Sequence, residues 1–116
     1  MASHHDAGFS ILEFHVLLAL ASGSLYGYAI KDVVAKESSG TLTPRAGSLY
    51  RVIARLMTDG FVAEDRSARN EPHAGLARRY YTLTASGRRA LGAEARRLKH
   101  TAIVAEKRLG VAAGRS

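Results

Sequence analysis

Arg45, Ser48, Tyr50, Arg51 and Arg55 lie within one short stretch of the chain, and together they could hold a polyanion. Leu49, Val52, Ile53, Leu56 and Met57 recur at steps of three and four, the period of one buried helix face. Ser48, Tyr50, Arg51, Ala54 and Arg55 then share the opposite face, with Arg45 at its N-terminal end. That face carries no acid before Asp59. A merely solvated helix mixes both charge signs. Arginine bonds phosphate as a fork, or guanine O6 and N7 in the major groove. A tyrosine hydroxyl can bond phosphate while its ring packs on sugar or a thymine methyl. Gly47 and Ala54 keep the face low. A second basic group, Arg66, Arg69, His73, Arg78 and Arg79, surrounds a Gly- and Pro-containing loop.

The elements that must position these residues can be read from caps and periods. A first helix starts near Phe9 or Ser10, because Ser10 and Glu13 have capping-box spacing. Ile11, Phe14, Leu18 and Ala21 form its expected stripe, widened by Leu17 and Leu20, and Ser22-Gly23-Ser24 ends it. A second helix runs from about Tyr26 to Lys36, with Ile30, Val33 and Val34 inward, and Ser38-Ser39-Gly40 turns the chain. Thr41 and Leu42 read as a very short strand. Thr43 is the expected cap of the third helix, with Pro44 at its first position and Gly60 just past its end. Phe61 to Arg66 and Arg78 to Leu83 read as strands, with 67–77 as a flexible hairpin loop. Thr84 caps a long last helix reaching about Leu109, before Gly110. The fold class is mainly α with a small β-hairpin. Three helices and a hairpin form a winged helix-turn-helix pattern, here with a long C-terminal dimerisation helix. The expected division is 1–8 as a disordered N-terminus, 9–84 as the winged domain, 85–110 as the dimerisation helix and 111–116 as a frayed tail.

Seventeen Lys plus Arg against ten Asp plus Glu leave a formal charge of +7, which favours a polyanionic partner. Cysteine is absent, so disulfides, thiolate metal sites and cysteine catalysis are excluded, and a cytoplasmic location is expected. His4, His5, His15, His73 and His100 show no helical metal pair and no acidic partner at useful spacing. No phosphate loop or nucleophile elbow occurs, so neither an enzyme nor a cofactor or metal is expected. The longest apolar run, 16–21, falls far short of the roughly 20 residues that span a bilayer.

Several stretches resemble the PadR family of bacterial transcriptional regulators: 17–20, 23–30 including Gly27-Tyr28, 47–56 including Ser48-Leu49-Tyr50-Arg51, 59–62, and 78–84 running into Gly87. The combination is more specific than any piece, and it covers about residues 10–95. One departure is that 43–47 is two residues longer than the family's compact Ser-Pro-Gly-type opening, so the start of the third helix stays open. The resemblance implies a homodimer that represses transcription and releases DNA when a small-molecule effector is sensed. It is closest to the short-tailed subgroup, in which the C-terminal helix pairs with its mate and with the other subunit's N-terminal helix.

The last helix predicts a seam on its own terms. Leu91, Ala95, Leu98, Ala102, Ala105 and Leu109 follow steps of four and three, as in a coiled coil. Half of these are alanine, whose burial contributes little at about 25 cal/mol per Å². Ile11, Phe14 and His15 are expected to add apolar area to the same dimer interface. The partners expected are therefore double-stranded DNA, a second copy of the chain and an effector, with no membrane. Two other readings stand beside this: a winged-helix protein-interaction module that never touches DNA, and surface binding to a membrane, for which the alanine-rich stripe is too weak.

Overall fold

The computed structural model describes residues 8–67, 72–73, 76–77 and 79–111. The elements are α1 (Ile11–Ala19), continued by a 3-10 turn over Leu20–Ser22, then β1 (Leu25–Tyr26), α2 (Gly27–Glu37) and α3 (Ala46–Thr58). After these come β2 (Val62–Glu64), β3 (Pro72–His73), β4 (Leu76–Ala77), β5 (Tyr80–Leu83) and α4 (Ala85–Leu109). β5 is the middle strand of an antiparallel sheet, with β1 on one side and β2 on the other. Its register sets Leu83 opposite Val62 and Tyr81 opposite both Glu64 and Leu25. β3 and β4 pair separately, farther out along the hairpin. The fold is a winged helix carrying a long C-terminal helix.

Caps visible in the sequence account for the ends of these elements. The Ser10 hydroxyl accepts the Glu13 N–H at 3.1 Å, and Glu13 Oε1 accepts the Ser10 N–H at 2.7 Å, which closes the capping box. Thr84 Oγ1 accepts from the Gly87 N–H at 2.9 Å and donates to the Gly60 carbonyl at 2.6 Å, tying the start of α4 to the end of α3. Gly60 and Gly110 end α3 and α4 at φ +84° and +73°, conformations that glycine adopts without cost.

The core joins Val16, Leu17 and Leu20 to Ile30 and Val34, to Leu49, Ile53 and Leu56, and to Phe61, Val62, Tyr81 and Leu83. Each such side chain contributes about 1.5–3 kcal/mol on burial. Several expectations are corrected here. The buried residues of α1 are Glu13, Val16, Leu17 and Ala19, with Leu20 in the turn after it, whereas Ile11 is exposed and Phe14, Leu18 and Ala21 are half-buried. Apolar residues stand nearly all round this helix, so tertiary packing rather than periodicity selects the inner face. On α3, Val52 is half-buried and Met57 is exposed, so the inward set is only Leu49, Ile53 and Leu56. No strand forms at Thr41–Leu42. The third strand is β1, a two-residue segment fixed by pairing with Tyr80 and Tyr81. The expected open loop contains the β3–β4 pair. Arg69, Arg78 and most of the two expected disordered ends lie outside the described residues.

The start of α3 is also corrected. Arg45, not Thr43, occupies the N-cap position, with extended backbone at φ −74°, ψ 154°. The Ser38 hydroxyl takes the Leu42 N–H at 3.0 Å, while Leu42 packs against the core. From that anchor, an extended 43–45 carries the chain to α3, and Pro44 holds Thr43 away from helical angles.

α4 divides into two parts. Gly87, Ala90, Leu91 and Glu94 are buried or half-buried on the domain. Arg88 Nη1 donates to the Ala21 carbonyl at 3.2 Å, a cation at the end of the α1 turn. Glu94 is buried, and Arg97 bonds both its oxygens, at 3.0 and 2.5 Å. That hydrogen bonding lowers the Glu94 pKa against the opposing effect of burial. Beyond Glu94 no residue of the helix is buried.

Candidate nucleic-acid interface

α3 presents Tyr50, Arg51, Ala54 and Arg55 to solvent, with Arg45 and Gly47 exposed at its start and Ser48 half-buried. Leu49, Ile53 and Leu56 turn inward, and that orientation forces these four residues outward. Arg45 makes no side-chain cap bond, and the first turn holds no acid. The first N–H groups of α3 therefore keep their donor capacity and positive end, a combination that suits phosphate.

Tyr50 is 44% exposed, and its hydroxyl lies against Gly27, where any Cβ would overlap it. Tyr50 therefore stays on the seam between α3 and the start of α2, which lacks a side-chain cap as well. The buried phenol of Tyr81 lies behind it. Burial first, and Tyr50 second, raise the Tyr81 pKa, so Tyr81 remains a neutral packing residue. Tyr28, next to Gly27, is 65% exposed and extends this rim. The sequence reading missed Tyr28. Its signal was available, since Tyr28 falls opposite Ile30 and Val34 on the α2 wheel.

Ser48, Arg51 and Arg55 meet Ser10 and Glu13 in a groove of about 290 Å³ between α1 and α3, with Val52 at its floor. Arg55 Nη1 lies 4.0 Å from the buried Glu13 Oε2. Glu13 was read only as a cap, and its place beside α3 is set by packing. On the wing, Arg79 is exposed, and Arg66 lies 3.8 Å from Glu64. Ser24 Oγ donates to Asp65, while the Ser67 N–H and hydroxyl donate to it at 3.0 and 2.7 Å. The base of the wing is thus fastened to the body, with Arg79 beside it. The backbone of His73 lies in β3, and Arg69 is outside the described residues.

The residues expected at a dimer interface fall into two groups. Leu91 packs partly against the subunit's own core. Ile11, Ala95, Leu98, Ala102, Ala105 and Leu109 are exposed, and Phe14 and His15 are half-buried. The rings of Phe14 and His15 meet edge-on at 5.8 Å, and the His15 Nδ1 is buried with no hydrogen-bond partner. Ile103, also exposed, was missed because it lies beside the seam rather than on it. Among the described residues no helix is long and apolar enough to cross a membrane, and no cluster of three or more His, Cys, Asp or Glu could hold a metal.

Comparison with known proteins bears on the fold and the family. A family model described as the transcriptional regulator PadR-like family matches residues 16–93. No curated protein matches the sequence. Among solved structures, a transcriptional regulator from Clostridium thermocellum is 21% identical with a TM-score of 0.68, over 92% of this chain and 96% of that one. A PadR-like transcription factor from Bacteroides fragilis is 27% identical with a TM-score of 0.68, over 84% and 88%. Bacillus subtilis PadR in complex with operator DNA is 26% identical with a TM-score of 0.60, over 72% of this chain and 45% of that one. The family match spans more than half of the 116 residues and includes α2, α3 and the wing. The chain belongs to the PadR-like family of transcriptional regulators.

Proposed function

We propose that this chain is a sequence-specific DNA-binding repressor acting as a homodimer on an inverted-repeat operator. One observation carries the reading: the outer face of α3 holds Tyr50, Arg51 and Arg55, exposed and free of acid, ahead of an uncapped helix start. Such a face enters a major groove, where Arg51 and Arg55 reach bases or phosphates and Ser48 and Arg45 meet the backbone. Arg79, Arg69 and His73 bring the wing to the adjacent phosphates. The structure of Bacillus subtilis PadR in complex with operator DNA supports DNA as the partner by likeness. Residues 9–84 form the DNA-binding unit and 85–110 the dimerisation helix.

The exposed stripe of α4 supports the dimer. From Ala95 onward no residue of the helix is buried, and a lone helix of this length is marginal in water. Ile11, at 68% exposure, and Leu109, at 77%, provide further surface for a second copy. Two α3 helices held about 34 Å apart would match successive major grooves. An effector releases DNA only by binding the unmatched arrangement more tightly than the matched one.

Genomic fragments that co-purify with the protein identify the operator. On that duplex Arg51→Ala is expected to weaken binding by about 1–3 kcal/mol, and the wild-type affinity should fall steeply with log salt. Fluorescence anisotropy checks both. A flat salt dependence with unchanged affinity would favour a protein-interaction module instead.

A further inference from the structure

Glu13 is the one acidic residue among those lining the groove at α3, and its two oxygens face different neighbours there. Oε1 accepts the Ser10 N–H at 2.7 Å, and that bond fixes the carboxylate at the first turn of α1. Oε2 faces Arg55 Nη1 at 4.0 Å. The carboxylate is 2% exposed, so it cannot follow an arginine that swings outward. Arg55 itself is 61% exposed and could otherwise move freely.

We propose that Glu13 is a specificity-determining positioning residue: its buried carboxylate holds Arg55 at the α3 groove and withholds it from random phosphates. The proposal rests on the reading of α3 as the DNA-reading helix. Arg55 leaving for a distant phosphate would move a cation away from a buried anion, against their attraction. Arg51, one turn earlier on α3, also lines the groove, and like charges at this spacing repel. Glu13 beneath them offsets that repulsion. Guanidinium carries five N–H donors, so contact through Nη1 leaves the Nε and Nη2 edge free for a base. Random-sequence binding, in contrast, depends on the number of phosphates neutralised, and a tethered arginine adds little to that number.

The test compares the co-purified operator fragment with a scrambled duplex of the same length, each titrated with salt. Glu13→Gln keeps the capping-box hydrogen bond and removes only the charge. It should tighten binding to the scrambled duplex and steepen its log–log salt slope by about 0.9, one added phosphate contact. The operator-to-scrambled affinity ratio should fall by at least about fivefold, the low end of one base contact's discrimination. Arg55→Gln, with its fold checked by circular dichroism because it takes the same cation from Glu13, should weaken operator binding yet leave the scrambled slope unchanged. A cap with no electrostatic role would alter melting temperature without altering either slope. The proposal is overturned if Arg55→Gln flattens the scrambled slope by about 0.9, or if folded Glu13→Gln leaves slope and ratio as they were. Wild-type protein that binds neither duplex would instead defeat the DNA reading itself.

Discussion

Gly87→Ala is expected to lower the melting temperature by roughly 10–20 °C, the equivalent of about 3 kcal/mol in a domain of this size. In most helices the same change is favourable by up to about 1 kcal/mol, because alanine has less freedom to lose. Here the sign reverses. A Cβ on Gly87 would overlap the Phe61 carbonyl oxygen, a backbone atom that cannot turn aside. Nor is that oxygen dispensable, since it accepts the Thr84 N–H at 3.1 Å. Thr84 in turn bonds both Gly60 and Gly87. The added methyl therefore pushes apart the junction where α3, β2 and α4 meet, and α4 shifts with it. Gly92→Ala is the control on the same helix. Its Cβ would meet only the Arg96 guanidinium at 3.5 Å, an ordinary contact with the end of a flexible side chain. Thermal unfolding followed by circular dichroism should separate the two variants in opposite directions. Equal melting temperatures would mean that the α3–α4 junction is looser than its geometry implies.

The second large effect is expected from Leu98→Asp. Leu98 is 39% exposed and lies on the α4 stripe beyond the last buried residue, so the change touches nothing in the subunit's own core. In the proposed dimer, an aspartate facing its mate across a thin, alanine-rich seam would bury two like charges with no compensating contact. Sedimentation should then show monomers with the winged domain still folded. Operator affinity should fall by about 10²–10⁴-fold, because the second half-site is no longer engaged from within the same molecule. Arg51→Ala should cost much less, since it removes one contact per half-site and leaves the linkage intact. A dimer that survives Leu98→Asp would move the interface elsewhere, to α1 alone.

These variants differ in how far the sequence alone could have suggested them. Arg51 and Leu98 follow from helical period, because charge and apolarity at steps of three and four mark a face whatever the helix packs against. The start of α1 and both ends of α4 follow from Ser10, Glu13, Thr84 and Gly110, whose caps bond residues no more than four positions away. Within the candidate site, the outward side of α3 was legible for the same reason.

Other features depended on contacts between distant parts of the chain. β1 exists because Leu25 and Tyr26 meet Tyr81 and Tyr80, and two residues are too few to carry a period. α3 begins at Ala46 because Leu42 must first reach the core, a demand that outweighs the helix signal of Thr43-Pro44. Glu13 is buried beside Arg55, and Tyr50 rests on Gly27, because α1, α2 and α3 cross where they do. Local hydrogen bonds and side-chain period thus determined which segments are helices and which face of α3 is cationic. Tertiary packing decided which of those cations is held in place and by what, since that choice rests on atoms more than twenty residues apart in the chain.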